Sequence, residues 1–369
     1  MSTALIAREI FTGKDIQTGK AVLIRDGKIV DLVAATEIPA GYRVRDLPGY
    51  MLAPAFIDLQ IYGGNGLLFS ADLSTAALEA TYEYCLQGGC TRFMITMATN
   101  SIEKFIRGLE VAREYRAGGG KGLLGVHLEG PYINPAKKGA HLEKFIKTPT
   151  VEEIGLLLQK GKDVFRMMTL APERCDRACV ELLLRNGIIV SAGHSNATYE
   201  EAVDGFYQGI PAATHLFNAM SPLQGRQPGM VGAVYDNNDV RCSVVCDGIH
   251  VDFASVRISK KIMQDRLFFI TDAVTEVQYG EYSHIFTGDR YTLPDGTLSG
   301  SSLTMMKAVT NAVEKAGIPL PEALRMASVY PAAVLGEQGK LGCIAPGACA
   351  DLVLLDEQLN ILQVMVDGE

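Results

Sequence analysis

GIIVSAGHSNATYEEAVDGFYQGIPAATH, residues 187–215, contains the unit from which the fold can be read. A short apolar run passes through an amphipathic segment (199–207) into a second apolar run, the pattern of a strand, a helix and a parallel strand. Each apolar run closes on a histidine, His194 and then His215. The two lie one strand–helix repeat apart, so they belong on neighbouring strands and face the same end of the sheet.

The same alternation extends in both directions. Apolar runs at 51–60, 91–96, 122–129, 165–171, 188–194, 212–215, 243–247 and 267–272 alternate with helix candidates that include 75–87, 102–116, 175–185, 199–207 and 252–264. Eight such units predict an α/β protein built on a (β/α)8 TIM barrel, which typically takes about 250 residues. A doubly wound open sheet is the competing reading. It fits less well, because no GxGxxG follows the early strands and polar residues recur at many strand ends rather than at one crevice. The flanks read differently. Residues 4–11, 21–25 and 28–34, with a hairpin at Asp26-Gly27, and residues 351–356 and 361–366 all read as strands. They predict a small β-sandwich domain built from both termini, residues 1–50 and 343–369, around a barrel of residues 51–342.

Composition narrows the function. A net charge of −8 disfavours a nucleic-acid binder, which needs a basic face, but it permits a small anionic substrate held by a few local cations. No apolar stretch approaches the ~20 residues that span a bilayer. Arg8, Glu9, Lys14 and Asp15 interrupt the first twenty residues, so no secretory signal forms and a cytoplasmic protein is expected. The eight cysteines include no CxxC pair, which suits reduced thiols; Cys175 and Cys179 read as half-buried helix residues rather than metal ligands.

Polar residues closing apolar runs carry the chemistry. They are Asp58 and Gln60, Glu129, His194, His215, Asp247 with His250, and Asp272. Two imidazoles and a carboxylate (His194, His215 and Glu129) form the open ligand set of a catalytic metal, with water in the fourth position. Each residue alone is more often a hydrogen-bonding strand-end residue; their joint placement favours the metal. Asp272 follows four apolar residues, and an unpaired buried carboxylate is costly, so it is expected to face the barrel mouth as a general acid–base.

The segments PAFIDLQIYGGNG (54–66), HLEGPYINPAKKGAH (127–141), SAGHSNATYEEA (191–202), THLFNAMSPLQGRQPGMVGA (214–233), DGIH (247–250), ITDA (270–273) and LSGSSLTMMKAV (298–309) resemble, in order, the N-acetylglucosamine-6-phosphate deacetylases of the amidohydrolase superfamily. The resemblance implies hydrolysis of N-acetylglucosamine 6-phosphate to glucosamine 6-phosphate and acetate. N-acetylgalactosamine 6-phosphate or another N-acyl amino sugar is the alternative substrate, and a non-catalytic sugar-phosphate binder the more distant one. It further implies one divalent metal per subunit on Glu129, His194 and His215, zinc first, with iron(II) or another ion as alternatives. Asp272 becomes the base and His141 the group at the acetamide oxygen. Asn218, Ala219 and His250 become phosphate contacts. Arg226 resembles an arginine that reaches the phosphate across a homodimer interface. Gln60 stands where many amidohydrolases carry the second histidine of an HxH pair, which implies a single metal. Tyr62 replaces an expected asparagine. His127 is expected to orient Glu129, Lys137 and Lys138 to be a solvated pair, and His284 to lie on the surface.

Overall fold

The computed structural model describes residues 2–369. Its centre is a sheet of eight parallel strands in chain order: β1 (Phe56–Ile61), β2 (Cys90–Ala98), β3 (Leu123–Glu129), β4 (Phe165–Leu170), β5 (Ile189–Ala192), β6 (Ala212–Ala213), β7 (Arg241–Val244) and β8 (Leu267–Phe269). Helices return the chain between them, among them Thr75–Gln87, Ile102–Ala117, Tyr199–Tyr207 and Phe253–Met263. Their starts follow from side chains that accept the free N–H groups of a first turn. Ser74, Ser101 and Thr150 each do so, and Thr198 forms a reciprocal pair with Glu201. With helices outside and side chains filling the inside, every residue of β1 is buried. That is why these strands read as continuous apolar runs.

The barrel closes between β1 and β8 through few bonds. Asp272 N–H donates to Gln60 O, and Tyr62 N–H to Ala273 O, each at 2.9 Å. Further in, a side chain replaces the ladder. Asp58, fully buried, accepts from the Thr271 hydroxyl at 2.5 Å and from the Thr271 and Gln60 amides at 3.3 and 3.1 Å.

Both termini build a second, seven-stranded mixed sheet. Its path runs Ile361–Met365, Leu352–Leu355, Arg43–Pro54, Ser2–Phe11, Lys20–Arg25 and Lys28–Ala34, with Ile16–Gln17 beside Ser2–Phe11. The period-two alternation of its strands divides the sheet between two cores. Leu5, Ile10, Val22, Ile24, Leu52, Leu352 and Leu354 pack together on one face, while Phe11, Met51, Ala53, Val353 and Leu355 face the barrel core. At Asp26-Gly27 both residues have positive φ, as a tight two-residue hairpin requires. The run 51–60 is not one strand. Met51 to Pro54 pair antiparallel with Leu352–Leu355, and the barrel strand begins beyond Ala55.

After β8 the chain forms a small antiparallel sheet (Ile285–Phe286, Arg290–Thr292, Leu298–Ser301) before its last helices. It is tied to the barrel rim by Ser301 N–H to Asp272 O at 2.9 Å and Val274 N–H to Ser301 O at 3.1 Å.

Candidate active site

Three strand-end residues leave the sheet in the left-handed region: His194 (φ 48°), His215 (φ 37°) and Asp272 (φ 54°). Non-glycine residues are strained there by about 1–3 kcal/mol each, a cost that persists where surrounding structure enforces it. At these positions the turn swings each side chain over the mouth of the barrel. Glu129 reaches the same place as the last residue of β3.

Glu129, His194 and His215 meet within hydrogen-bond distance, and Asp272 joins them through Gln60. Glu129 Oε1 lies 3.0 Å from His215 Nε2 and 3.3 Å from His194 Nε2, and the two imidazole nitrogens are 3.1 Å apart. Gln60 Nε2 joins the two acids, donating to Glu129 Oε1 at 3.0 Å and Asp272 Oδ1 at 2.8 Å. All are buried. Burial raises the Asp272 carboxyl above its ordinary value, and the nearby His215 opposes this. Burial likewise pulls His194 down to about 4, so its ring is neutral at pH 7.

A hydrogen bond fixes which nitrogen of the His194 ring is free. His194 Nδ1 faces the Lys137 carbonyl at 2.8 Å. It therefore carries the proton, and Nε2 turns a lone pair toward Glu129. A lone pair facing a carboxylate is repulsive until a cation lies between them. The three atoms Glu129 Oε1, His194 Nε2 and His215 Nε2 are spaced at 3.0–3.3 Å, close to the edges of a tetrahedron with bonds of roughly 2.0–2.2 Å. These residues fit a divalent metal. His141 offers a second way to complete a triad, since its ligand atom also lies within 4.8 Å of those of Glu129 and His194. Its tautomer argues against that. His141 Nδ1 accepts the Thr99 backbone N–H at 3.3 Å and lies 2.6 Å from the Thr99 hydroxyl, which can donate to it as well; with the proton on Nε2, that atom donates to Glu129 Oε2 at 3.0 Å. His141 is a donor to the site, and His215 is the better third ligand.

These residues line a cavity of about 300 Å³ together with Asn218, Ala219 and His250, at the small end of the range for ligand pockets. His250 is held by Asp247, whose Oδ2 lies 2.6 Å from Nδ1. Arg226 is elsewhere, exposed on the loop after β6 and lining a separate cavity with Asn196 and Tyr199. His127 does not touch Glu129. It lies deeper in the barrel, bonded to the Thr169 hydroxyl at 2.7 Å and close to the Leu59 carbonyl. It therefore has no direct bond by which to orient Glu129, since residues two apart on a strand share a face but occupy successive layers. Lys137 serves the site through its carbonyl, and Lys138 pairs with Glu143 at 3.6 Å.

Two residues of the cavity have surroundings that the sequence does not give. His284 is buried, not on the surface; it stacks on Tyr282 and bonds Ser299 Oγ through Nδ1 at 2.9 Å. Its burial comes from the small sheet folding back over the mouth, which no local pattern signals. Tyr62 is buried with its hydroxyl on Glu129 Oε2 at 2.5 Å.

Comparison with known proteins agrees with this geometry. Residues 51–369 match the model of the amidohydrolase family, and residues 3–52 that of the NagA composite domain. An N-acetylglucosamine-6-phosphate deacetylase of Haemophilus influenzae is 38% identical over 100% of this chain and 99% of its own. An N-acetylgalactosamine-6-phosphate deacetylase of Escherichia coli O157:H7 is 30% identical over the same shares. Among solved structures, an N-acetylglucosamine-6-phosphate deacetylase of Pasteurella multocida superposes with a TM-score of 0.95 at 36% identity, covering 100% of this chain and 99% of its own.

Proposed function

We propose that this chain, which belongs to the amidohydrolase family, hydrolyses N-acetylglucosamine 6-phosphate to glucosamine 6-phosphate and acetate. The observation that carries the reading is the convergence of Glu129, His194, His215 and Asp272 on one cavity, in a chain that aligns end to end with deacetylases of that substrate.

Glu129 Oε1 and the Nε2 atoms of His194 and His215 would hold one divalent metal, with zinc the first candidate and iron(II) the second. When bound, such an ion lowers the pKa of a water toward ~7 and polarises the amide carbonyl. Asp272 supplies the proton traffic. Its raised affinity for a proton suits a group that takes one from the attacking water and returns it to the departing nitrogen. Gln60 keeps that carboxylate facing Glu129. His141 donates its Nε2 proton to Glu129 Oε2 in this structure, and on substrate binding it would turn that proton to the acetamide oxygen as negative charge builds there. Asn218, Ala219 and His250 form the wall assigned to the phosphate.

Arg226 is assigned to the phosphate of a neighbouring subunit in a homodimer. Its absence from the lining of its own chain's active-site cavity supports a reach from another copy. A cytoplasmic setting is supported by eight free thiols among the described residues. No helix of the described residues is long and apolar enough to cross a membrane.

Deacetylation of N-acetylgalactosamine 6-phosphate is the second reading, favoured by the Escherichia coli relative. Acetate release from the two sugar phosphates, before and after chelation, tests both readings. Hydrolysis of the gluco substrate that is lost on chelation and restored by Zn²⁺ supports the proposal. A higher kcat/KM on the galacto epimer transfers it to the second reading, and no release from either defeats both.

A further inference from the structure

The two carboxylate oxygens of Glu129 face different partners. Oε1 is turned to His194, His215 and the Gln60 amide. Oε2 is turned away from them and accepts the Tyr62 hydroxyl at 2.5 Å and His141 Nε2 at 3.0 Å. The Gln60 amide nitrogen, whose two hydrogens are shared among Glu129 Oε1, Asp272 Oδ1 and Tyr62, also lies 2.8 Å from the Tyr62 oxygen. An amide N–H can only donate, so the single hydroxyl proton of Tyr62 is committed to Glu129. The ring has little freedom to leave. It packs among Leu68, Val274, Val277 and Tyr282, its N–H bonds Ala273 O, and its carbonyl accepts from Phe69 N–H.

We infer that Tyr62 is a positioning residue that occupies Glu129 Oε2 and thereby turns Oε1 alone toward His194 and His215. The inference rests on the reading of Glu129 as a metal ligand. The terminal torsion of a glutamate side chain is broad, so without a partner on Oε2 the carboxylate samples orientations that present either oxygen or both. Tyr62, whose bond to Oε2 is shorter than that from His141 (2.5 against 3.0 Å) and whose ring is packed in place, removes most of that freedom before the metal arrives. Groups that orient a ligand in this way typically contribute about 10–100-fold in metal affinity. Tyr62 is thus more than a filler of the asparagine position that the sequence leads one to expect.

Tyr62→Phe isolates the hydroxyl. It keeps the ring and its packing, and Glu129 Oε2 keeps His141 as a donor, so no buried oxygen is left without a partner. Metal-free protein is titrated with Zn²⁺ against a competing chromophoric chelator, and its thermal midpoint is recorded. The expected result is a Zn²⁺ Kd raised about 10–100-fold with the metal-free midpoint little changed. A Kd within twofold of the parent overturns the inference. Glu129→Ala separates the two levels of the argument. Should it lose tight Zn²⁺ binding while Tyr62→Phe keeps it, only the role of Tyr62 fails. Should Glu129→Ala bind Zn²⁺ as tightly as the parent, the ligand reading fails and the inference falls with it.

Discussion

Replacing Asp58 by asparagine should stabilise the protein at pH 8 and slightly destabilise it at pH 3. The carboxyl is fully enclosed between β1 and the end of β8, and burial pushes it from 3.8 up to about 7 against the opposing hydrogen bonds from Thr271 and Gln60. Below about pH 3 the group is protonated in both folded and unfolded chains, and the advantage of the protonated buried form is whole. As pH rises, the unfolded chain ionises first while the folded one still holds its proton, so stability declines until the folded group also ionises near pH 7. At about 1.36 kcal/mol per pH unit, the interval from 3.8 to about 7 amounts to roughly 4 kcal/mol. Asparagine stays neutral throughout and keeps an oxygen for the Thr271 and Gln60 amides. It loses the acceptor for the Thr271 hydroxyl, a deficit of about 1 kcal/mol. The parent should therefore lead by about 1 kcal/mol at low pH, and the variant by about 3 kcal/mol at pH 8. Urea unfolding of the two metal-free proteins across this range measures the difference directly, because titrations elsewhere in the chain cancel between them. A stability difference that stays constant with pH would show that Asp58 is ionised in the fold and refute the reasoning.

Asp272→Asn should lower kcat roughly 10²–10⁴-fold with metal content unchanged; a loss under tenfold would remove Asp272 from the role of base. His215→Ala should abolish stoichiometric metal binding while His141→Ala keeps the metal and loses turnover, and the reverse pattern would exchange their assignments. His284→Ala, on the cavity wall, should raise KM more than it lowers kcat; unchanged kinetics would leave it a packing residue. Co-expressed Arg226→Ala and Asp272→Asn subunits, each inactive alone, should regain activity in mixed dimers, since one of the two sites then has both groups. No recovery would mean that Arg226 does not act across subunits.

Most of the barrel is legible because its strands are buried on both faces, and an apolar run such as 122–129 ending on Glu129 announces both a strand and the rim it reaches. The strand Arg43–Pro54 is hidden for a physical reason. Pro48-Gly49 interrupts its pattern like a turn, yet it falls where the register with Ser2–Phe11 shifts between Ala7 and Glu9, so the break is absorbed as a bulge. His194 and His215 are readable from spacing, since neighbouring strands place them side by side. Tyr62 and His284 are not, because what each one does is decided by a distant partner. Glu129 lies 67 positions along the chain from Tyr62, and Ser299 is brought to His284 only by the small sheet.

The seam between β1 and β8 has a consequence for how the protein becomes competent. Glu129, His194 and His215 end β3, β5 and β6, within one uninterrupted run of paired strands. Gln60 and Asp272, 212 positions apart in the chain, meet only across the closing edge. A refolding chain can thus assemble its three-atom cradle before its ring is shut, whereas its proton carrier comes into place with the final stitch. Recovery of bound metal and recovery of turnover should therefore run on separate clocks, turnover the later, with Asp58 and Thr271 setting the interval between them.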